Sequence, residues 1–199
     1  MTDPSLDRRA LVAGILGRRG DAAVVAGLGS PAWDCHAAGD TPLNFYLWGA
    51  MGGAAALGLG VALARPRRRV LVVTGDAEML MGMGSLATIA AQAPANLSLL
   101  VLDNEAFGET GRQTGLTGRQ TDIAAIARGA GIPTAFTVDR DAMERSGGMD
   151  LDALAGALFK ETGPVLCVAK VALATAADSY PPRDGVLLRS RFRAALAGD

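Results

Sequence analysis

The chain has 199 residues, half of them hydrophobic and a fifth charged, with a net charge of −1. That is enough chain for one domain with a substantial apolar core, and the balanced charge excludes an electrostatic footprint for nucleic acid. Cys35 and Cys167 allow one bridge at most, and Met1-Thr2-Asp3-Pro4 carries no basic stretch leading into an apolar core, so neither a disulfide framework nor a secretory leader is expected and the cytoplasm is the expected location.

Leu6 to Leu16 recurs at helical spacing and Gly17 to Gly20 close it. The apolar run Ala22 to Ala26 reads as a strand, broken by Gly27-Leu28-Gly29-Ser30-Pro31. With Ala32 this break fits the loose dinucleotide-loop pattern, but Pro31 and the polar Asp34-Cys35-His36 do not read as a continuing helix, which weighs against a nicotinamide site. His36, the one histidine, is a candidate substrate or cofactor contact. Gly49 to Ala64 is almost entirely small or apolar, shorter than the roughly 20 residues that span a bilayer. It reads as a buried helix lying close to a sheet or a ligand, with Arg65 to Arg69 as a solvated turn behind it. Val70 to Val73 is a strand ending at Thr74-Gly75-Asp76, followed by a helix from Met79 to Ala91. Leu97 to Leu102 is the next strand, then a glycine-rich loop from Gly108 to Gly118, a helix from Asp122 to Ala130 and a strand from Thr134 to Val138. A helix from Leu151 to Phe159 leads into the strand Val165 to Ala169, and 178–199 is expected to form a C-terminal arm on a single domain spanning 1–199.

Strands that are apolar throughout are buried on both faces, which predicts a three-layer α/β domain with a doubly wound, mostly parallel sheet. Ligands of such sheets sit at the carboxyl ends of strands. Two strand ends stand out there. Gly75-Asp76-Ala77 closes one strand and opens a helix, and Asp103-Asn104 closes the next, 28 positions after Asp76. Alone, Asp76 reads as a helix N-cap and Asp103-Asn104 as a turn. Together, on neighbouring strands, a carboxylate, an amide oxygen and a backbone carbonyl supply hard oxygen ligands for a magnesium ion that also holds a diphosphate.

This pair resembles the signature of the thiamine diphosphate-dependent enzymes, in their diphosphate-binding (PP) domain. The resemblance implies thiamine diphosphate and Mg²⁺ as cofactors, Asp76, Asn104 and the Ala106 carbonyl as metal ligands, and Gly75, Ala77, Glu78, Phe107 and Gly108 as the lining of the diphosphate. Ala77 stands where the family has the closing glycine of its Gly-Asp-Gly, and Glu78 brings a negative charge beside an anion unless it turns away. Phe45 to Gly52 is similar to the family segment at the middle of the cofactor. There the Gly49 carbonyl is expected to accept from the aminopyrimidine and Met51 to wedge between the two rings, so these two bear on catalysis.

Gly29-Ser30 to Gly39-Asp40, Asn44-Phe45-Tyr46, Gly49 to Gly52 and Leu86 to Ala90 together look like the β subunits of sulfopyruvate decarboxylases, and like phosphonopyruvate decarboxylases. The resemblance implies decarboxylation of a small anionic 2-oxo acid. It also implies a PYR-domain α subunit in trans, in an α2β2 or larger assembly, because the activating glutamate of the PYR domain has no match here. Arg112, Gln113, Thr114 and Arg119 in the glycine-rich loop are candidates for the substrate's acid group, or simply solvated loop residues. Two other readings stay open: a carboligase or 2-oxo acid oxidoreductase subunit, and a non-catalytic cofactor-binding module.

Overall fold

The computed structural model describes residues 5–145, 148–173 and 179–198. The leader reading from Met1 to Pro4, and the start of the expected arm at Asp178, lie outside the described residues.

A six-stranded parallel sheet carries the fold. Its strands are β1 (Ala23–Ala26), β2 (Asn44–Tyr46), β3 (Val70–Gly75), β4 (Leu97–Asp103), β7 (Thr134–Val138) and β8 (Val165–Lys170), in the order β2-β1-β3-β4-β8-β7. Alternate side chains of each strand feed two cores. Val25, Val72, Leu99 and Val101 pack against helices α3 (Ala54–Ala64), α5 (Gly84–Gln92) and α6 (Ile123–Gly129). Val24, Leu71, Val73 and Leu100 pack against α1 (Arg8–Leu16), α2 (Ser30–Ala37) and α8 (Leu151–Phe159). The three-layer, doubly wound architecture is therefore as expected. Glycine serves the packing of α3, where a β-carbon on Gly58 would lie 2.2 Å from Val72 Cγ2. No helix of the described residues is long and apolar enough to cross a membrane.

Several local expectations need correction. Pro31 and Asp34-Cys35-His36 do form a helix, α2, because proline is favoured in a first helical turn and Asp34 is buried against Arg8 rather than solvated. The lack of a helix is thus no ground against a dinucleotide loop. The single helix expected from Met79 to Ala91 is two, α4 (Asp76–Met81) and α5, broken at Gly82-Met83. The glycine-rich loop contains a small hairpin, β5 (Ala106–Phe107) with β6 (Gln113–Thr114), and a short helix α7 (Arg140–Glu144) follows β7. Within the expected arm, α9 (Gly185–Ala197) is packed, burying Leu188, Phe192 and Leu196. Cys35 and Cys167 are both buried and free.

Candidate functional site

The chain leaves β1 toward β2 on one side while β3 lies on the other, so the strand order reverses between β1 and β3. At the carboxyl edge of this switch point, where doubly wound sheets bind ligands, lies a cavity of about 220 Å3. Gly75 is paired with Leu102, so β3 and β4 deliver Asp76 and Asp103-Asn104 to the same edge. Gly75, Asp76, Ala77, Glu78, Asn104, Ala106, Phe107, Gly108 and Met51 all line the cavity. Gly49 does not. It is exposed, in the left-handed region at φ 74°, two residues before Met51.

Asp76 opens α4 with its carboxylate buried. The Thr117 hydroxyl lies 2.9 Å from Asp76 Oδ2 and 2.7 Å from Asp103 Oδ1. A hydroxyl has one hydrogen, so it satisfies one of the two carboxylates at a time. Asp103 has a second partner, Lys170 Nζ at 2.8 Å, which also holds Glu105 at 2.6 Å. Asp76 has no cation beside it among the described ion pairs. Burial, then the charge of Asp103, pushes its carboxyl up to about 6. A buried carboxylate in that position favours a cation. The Asn104 amide oxygen accepts from Ala106 N at 3.0 Å, which fixes it at the start of β5 and leaves a second lone pair. Among the described residues there is no cluster of three His, Cys, Asp or Glu side chains suited to a metal. One carboxylate with amide and carbonyl oxygens fits magnesium, which takes few protein ligands and keeps the rest for phosphate and water.

Glu78 lines the cavity, but one of its carboxylate oxygens is engaged by protein donors. Its Oε2 accepts from Leu28 N at 3.1 Å and from Thr74 Oγ1 at 2.8 Å, and the side chain is buried against Gly27. Burial pushes its carboxyl up, partly offset by the Thr74 hydroxyl and by the backbone of Leu28, Gly52 and Gly75. Ala77 sits in ordinary helical backbone, with no left-handed φ to strain its methyl.

His36 does not reach the cavity; its Nδ1 meets Ser179 Oγ at 2.6 Å and its ring stacks edge-on to Tyr46. Arg112, Gln113, Thr114 and Arg119 are exposed and do not line it either. Among the residues of the site that were not singled out from sequence are Thr117, Lys170 and Arg8. Thr117 is 41 positions from Asp76 and Lys170 is 67 from Asp103, so only the fold joins them. Arg8 lines the cavity from the start of α1.

Residues 30–169 match the family model described as thiamine pyrophosphate enzyme, C-terminal TPP binding domain. The chain is 38% identical over 122 residues to the sulfopyruvate decarboxylase subunit beta of Methanocaldococcus jannaschii, covering 61% of this chain and 64% of that one. It is 44% identical over 147 residues to the phosphonopyruvate decarboxylase of Streptomyces hygroscopicus, covering 73% of this chain and 34% of that one. The match thus spans just under two thirds of the first relative and about a third of the second. A crystal structure of a protein named as a putative thiamin diphosphate-dependent enzyme from Mycobacterium smegmatis superimposes with a TM-score of 0.67 at 23% identity, over 85% of this chain and 32% of that chain, and shows the shared fold.

Proposed function

The chain belongs to the thiamine pyrophosphate enzyme family, in its C-terminal TPP binding domain, and from that premise we propose that it is the PP-domain β subunit of a two-component 2-oxo acid decarboxylase. The substrate in this reading is a small anionic 2-oxo acid of the sulfopyruvate or phosphonopyruvate type, after the relatives' names. The observation that carries the reading is the convergence of Asp76 and Asn104 on one cavity at the strand-order reversal.

Asp76, Asn104 and the Ala106 carbonyl would hold Mg²⁺, and Gly75, Ala77, Glu78, Phe107 and Gly108 would surround the diphosphate. Thiamine diphosphate, when bound, supplies the electron sink for loss of carbon dioxide. The residues of this chain do the rest of their work by position. The Thr117 hydroxyl, between Asp76 and Asp103, helps to hold the Asp76 carboxylate in place, Glu78 fixes the turn after β1 by accepting from Leu28 N, and Met51 forms an apolar wall. Met51 and Phe107 are more than a third exposed, and Gly49 is open. A PYR-domain α subunit covering this side would complete the site and exclude water, in an α2β2 or larger assembly of the closed kind common to oligomers.

The test is reconstitution with a PYR-domain α chain, in thiamine diphosphate and Mg²⁺. Release of carbon dioxide and a free aldehyde from the anionic 2-oxo acid is expected. An acyloin or acetolactate-type product would make it a carboligase subunit, and carbon dioxide release only with an added electron acceptor would make it an oxidoreductase subunit. Calorimetry showing no cofactor binding even with the partner would reduce it to a non-catalytic module.

A further inference from the structure

We propose that Arg8 is an anion-binding residue of this cavity, its guanidinium aimed by Asp34 at the oxyanion group of the bound molecule. The proposal rests on the functional reading above and deepens it.

Arg8 is the first residue of α1 and only 4% exposed, and arginine is almost never so buried unless paired. Its partner is Asp34 of α2, itself 3% exposed. Arg8 Nε donates to Asp34 Oδ2, and Nη2 lies 3.4 Å from Oδ1. This edge-on pairing occupies two of the three guanidinium nitrogens and fixes the plane of the group. Arg9 Nε also approaches Asp34 Oδ1, at 3.5 Å, so that carboxylate is shared between two guanidinium groups. Arg8 lines the cavity beside Leu28, Ser30 and Pro31.

The charges of that cavity make Arg8 stand out. Among the described residues lining it, Arg8 carries the one positive charge, while Asp76, Glu78 and Glu109 are acids. Glu78 is tied to Leu28 N and Thr74, and Glu109 lies against Gly29, where a β-carbon would sit 1.7 Å from its Oε1. A polyanion entering such a cavity gains from a fixed cation besides a metal at Asp76. A planar guanidinium with a free edge suits phosphate, phosphonate, sulfonate or carboxylate oxygens. Asp34 is then a positioning residue, which explains why α2 carries a buried acid in its middle.

Two sources of oxyanion fit, the diphosphate of the cofactor and the acid tail of the substrate, and the experiment separates them. The chain is reconstituted with its partner as wild type, Arg8→Lys, Arg8→Gln and the double variant Arg8→Gln with Asp34→Asn. The double variant leaves no buried carboxylate unpaired, and thermal melts report its folding. Calorimetry with thiamine diphosphate and with inorganic pyrophosphate, both at saturating Mg²⁺, is followed by KM for the 2-oxo acid at saturating cofactor. Loss of affinity on the order of tenfold or more for both diphosphates, partly rescued by lysine, assigns Arg8 to the cofactor. Unchanged cofactor affinity with KM raised by a similar factor, at nearly constant kcat, assigns it to the substrate tail. Affinity and KM within about twofold of wild type in the folded double variant overturn the proposal. If the wild-type pair binds pyrophosphate but no thiamine diphosphate, and Arg8→Gln loses the pyrophosphate, the functional reading fails while this one stands. A wild-type pair that binds neither defeats both.

Discussion

Gly27 and Glu78 are in direct contact beneath the cavity: a β-carbon on Gly27 would lie 1.8 Å from Glu78 Oε2 and 2.7 Å from its carboxyl carbon. The oxygen that fills this space also accepts from Leu28 N and Thr74 Oγ1, so it joins the turn after β1 to the start of α4. Gly27→Ala should expel that carboxylate and cost about 1–3 kcal/mol, the range for overpacking a dense interior or stranding a buried acceptor. Because the cost comes from one contact, it should shrink in a Glu78→Ala background. A double-mutant cycle by urea denaturation measures the coupling. Additive losses would mean that Gly27 is required for another reason.

Asp76 separates a metal ligand from a structural carboxylate. Replacing it by asparagine keeps the shape and the Thr117 contact while removing the repulsion from Asp103. Thermal stability without metal should therefore be equal to or above that of the wild type. Mg²⁺-dependent thiamine diphosphate binding should fall on the order of tenfold or more, since the charged ligand of a hard cation is gone. Chelation of Mg²⁺ should weaken cofactor binding in the wild type and change the variant little. Calorimetry beside thermal melts gives both readouts, and a variant that loses stability but keeps its Mg²⁺ response would contradict the assignment.

Acid should loosen α9. Arg191 holds Asp40 with Nη1 at 2.7 Å from Oδ2 and Nη2 at 2.8 Å from Oδ1, and the Tyr46 hydroxyl adds a bond of 2.9 Å. Burial alone would raise the Asp40 carboxyl, but the hydrogen bonds from Arg191 and Tyr46 outweigh it and hold the group below its ordinary value. A depressed native pKa contributes stability that is complete above the unfolded value, about 3.9, and vanishes as pH falls through the native value. Wild type should thus exceed Asp40→Asn by about 1 kcal/mol at neutral pH, and the gap should close below about pH 3.5. Chemical denaturation of both proteins across pH 2.5 to 7 checks the sign; a gap that widened in acid would refute it.

The sheet was legible because a strand buried on both faces has to be apolar throughout, and Val70 to Val73 and Leu97 to Leu102 are. The carboxyl-edge rule then puts Asp76 and Asn104 together from the sequence. What stayed hidden depended on pairs distant in sequence. The polar Asp34-Cys35-His36 does not read as helix from sequence, because the partner that buries Asp34, Arg8, is 26 positions away. Thr117, within the glycine-rich loop, carries no signal of its own for the same reason, since only the fold sets its hydroxyl between two acids. The break at Gly82-Met83 had no periodicity signal, because both helices continue the same apolar stripe. It is needed by a backbone that passes beside it.

That neighbouring backbone is Gly52. A β-carbon on Gly82 would lie 2.2 Å from the Gly52 carbonyl oxygen and 3.0 Å from its carbon, while one on Gly52, at φ 85°, would lie 3.2 Å from Gly82 N. Two glycines thus let the junction of α4 and α5 touch the segment that carries Met51 into the cavity. Unlike the far end of a side chain, a carbonyl of the main chain cannot swing aside. Gly82→Ala should therefore displace the Met51 segment, cost about 1–3 kcal/mol and weaken thiamine diphosphate binding along with it. Gly84, two residues on, is the control. A β-carbon there meets nothing within 4 Å, and it begins α5, where alanine is the better helix former by up to about 1 kcal/mol. Gly84→Ala should be neutral or stabilising and leave cofactor binding unchanged. If the two variants behaved alike in melts and calorimetry, the close approach of Gly52 and Gly82 would not be what sets the Met51 wall.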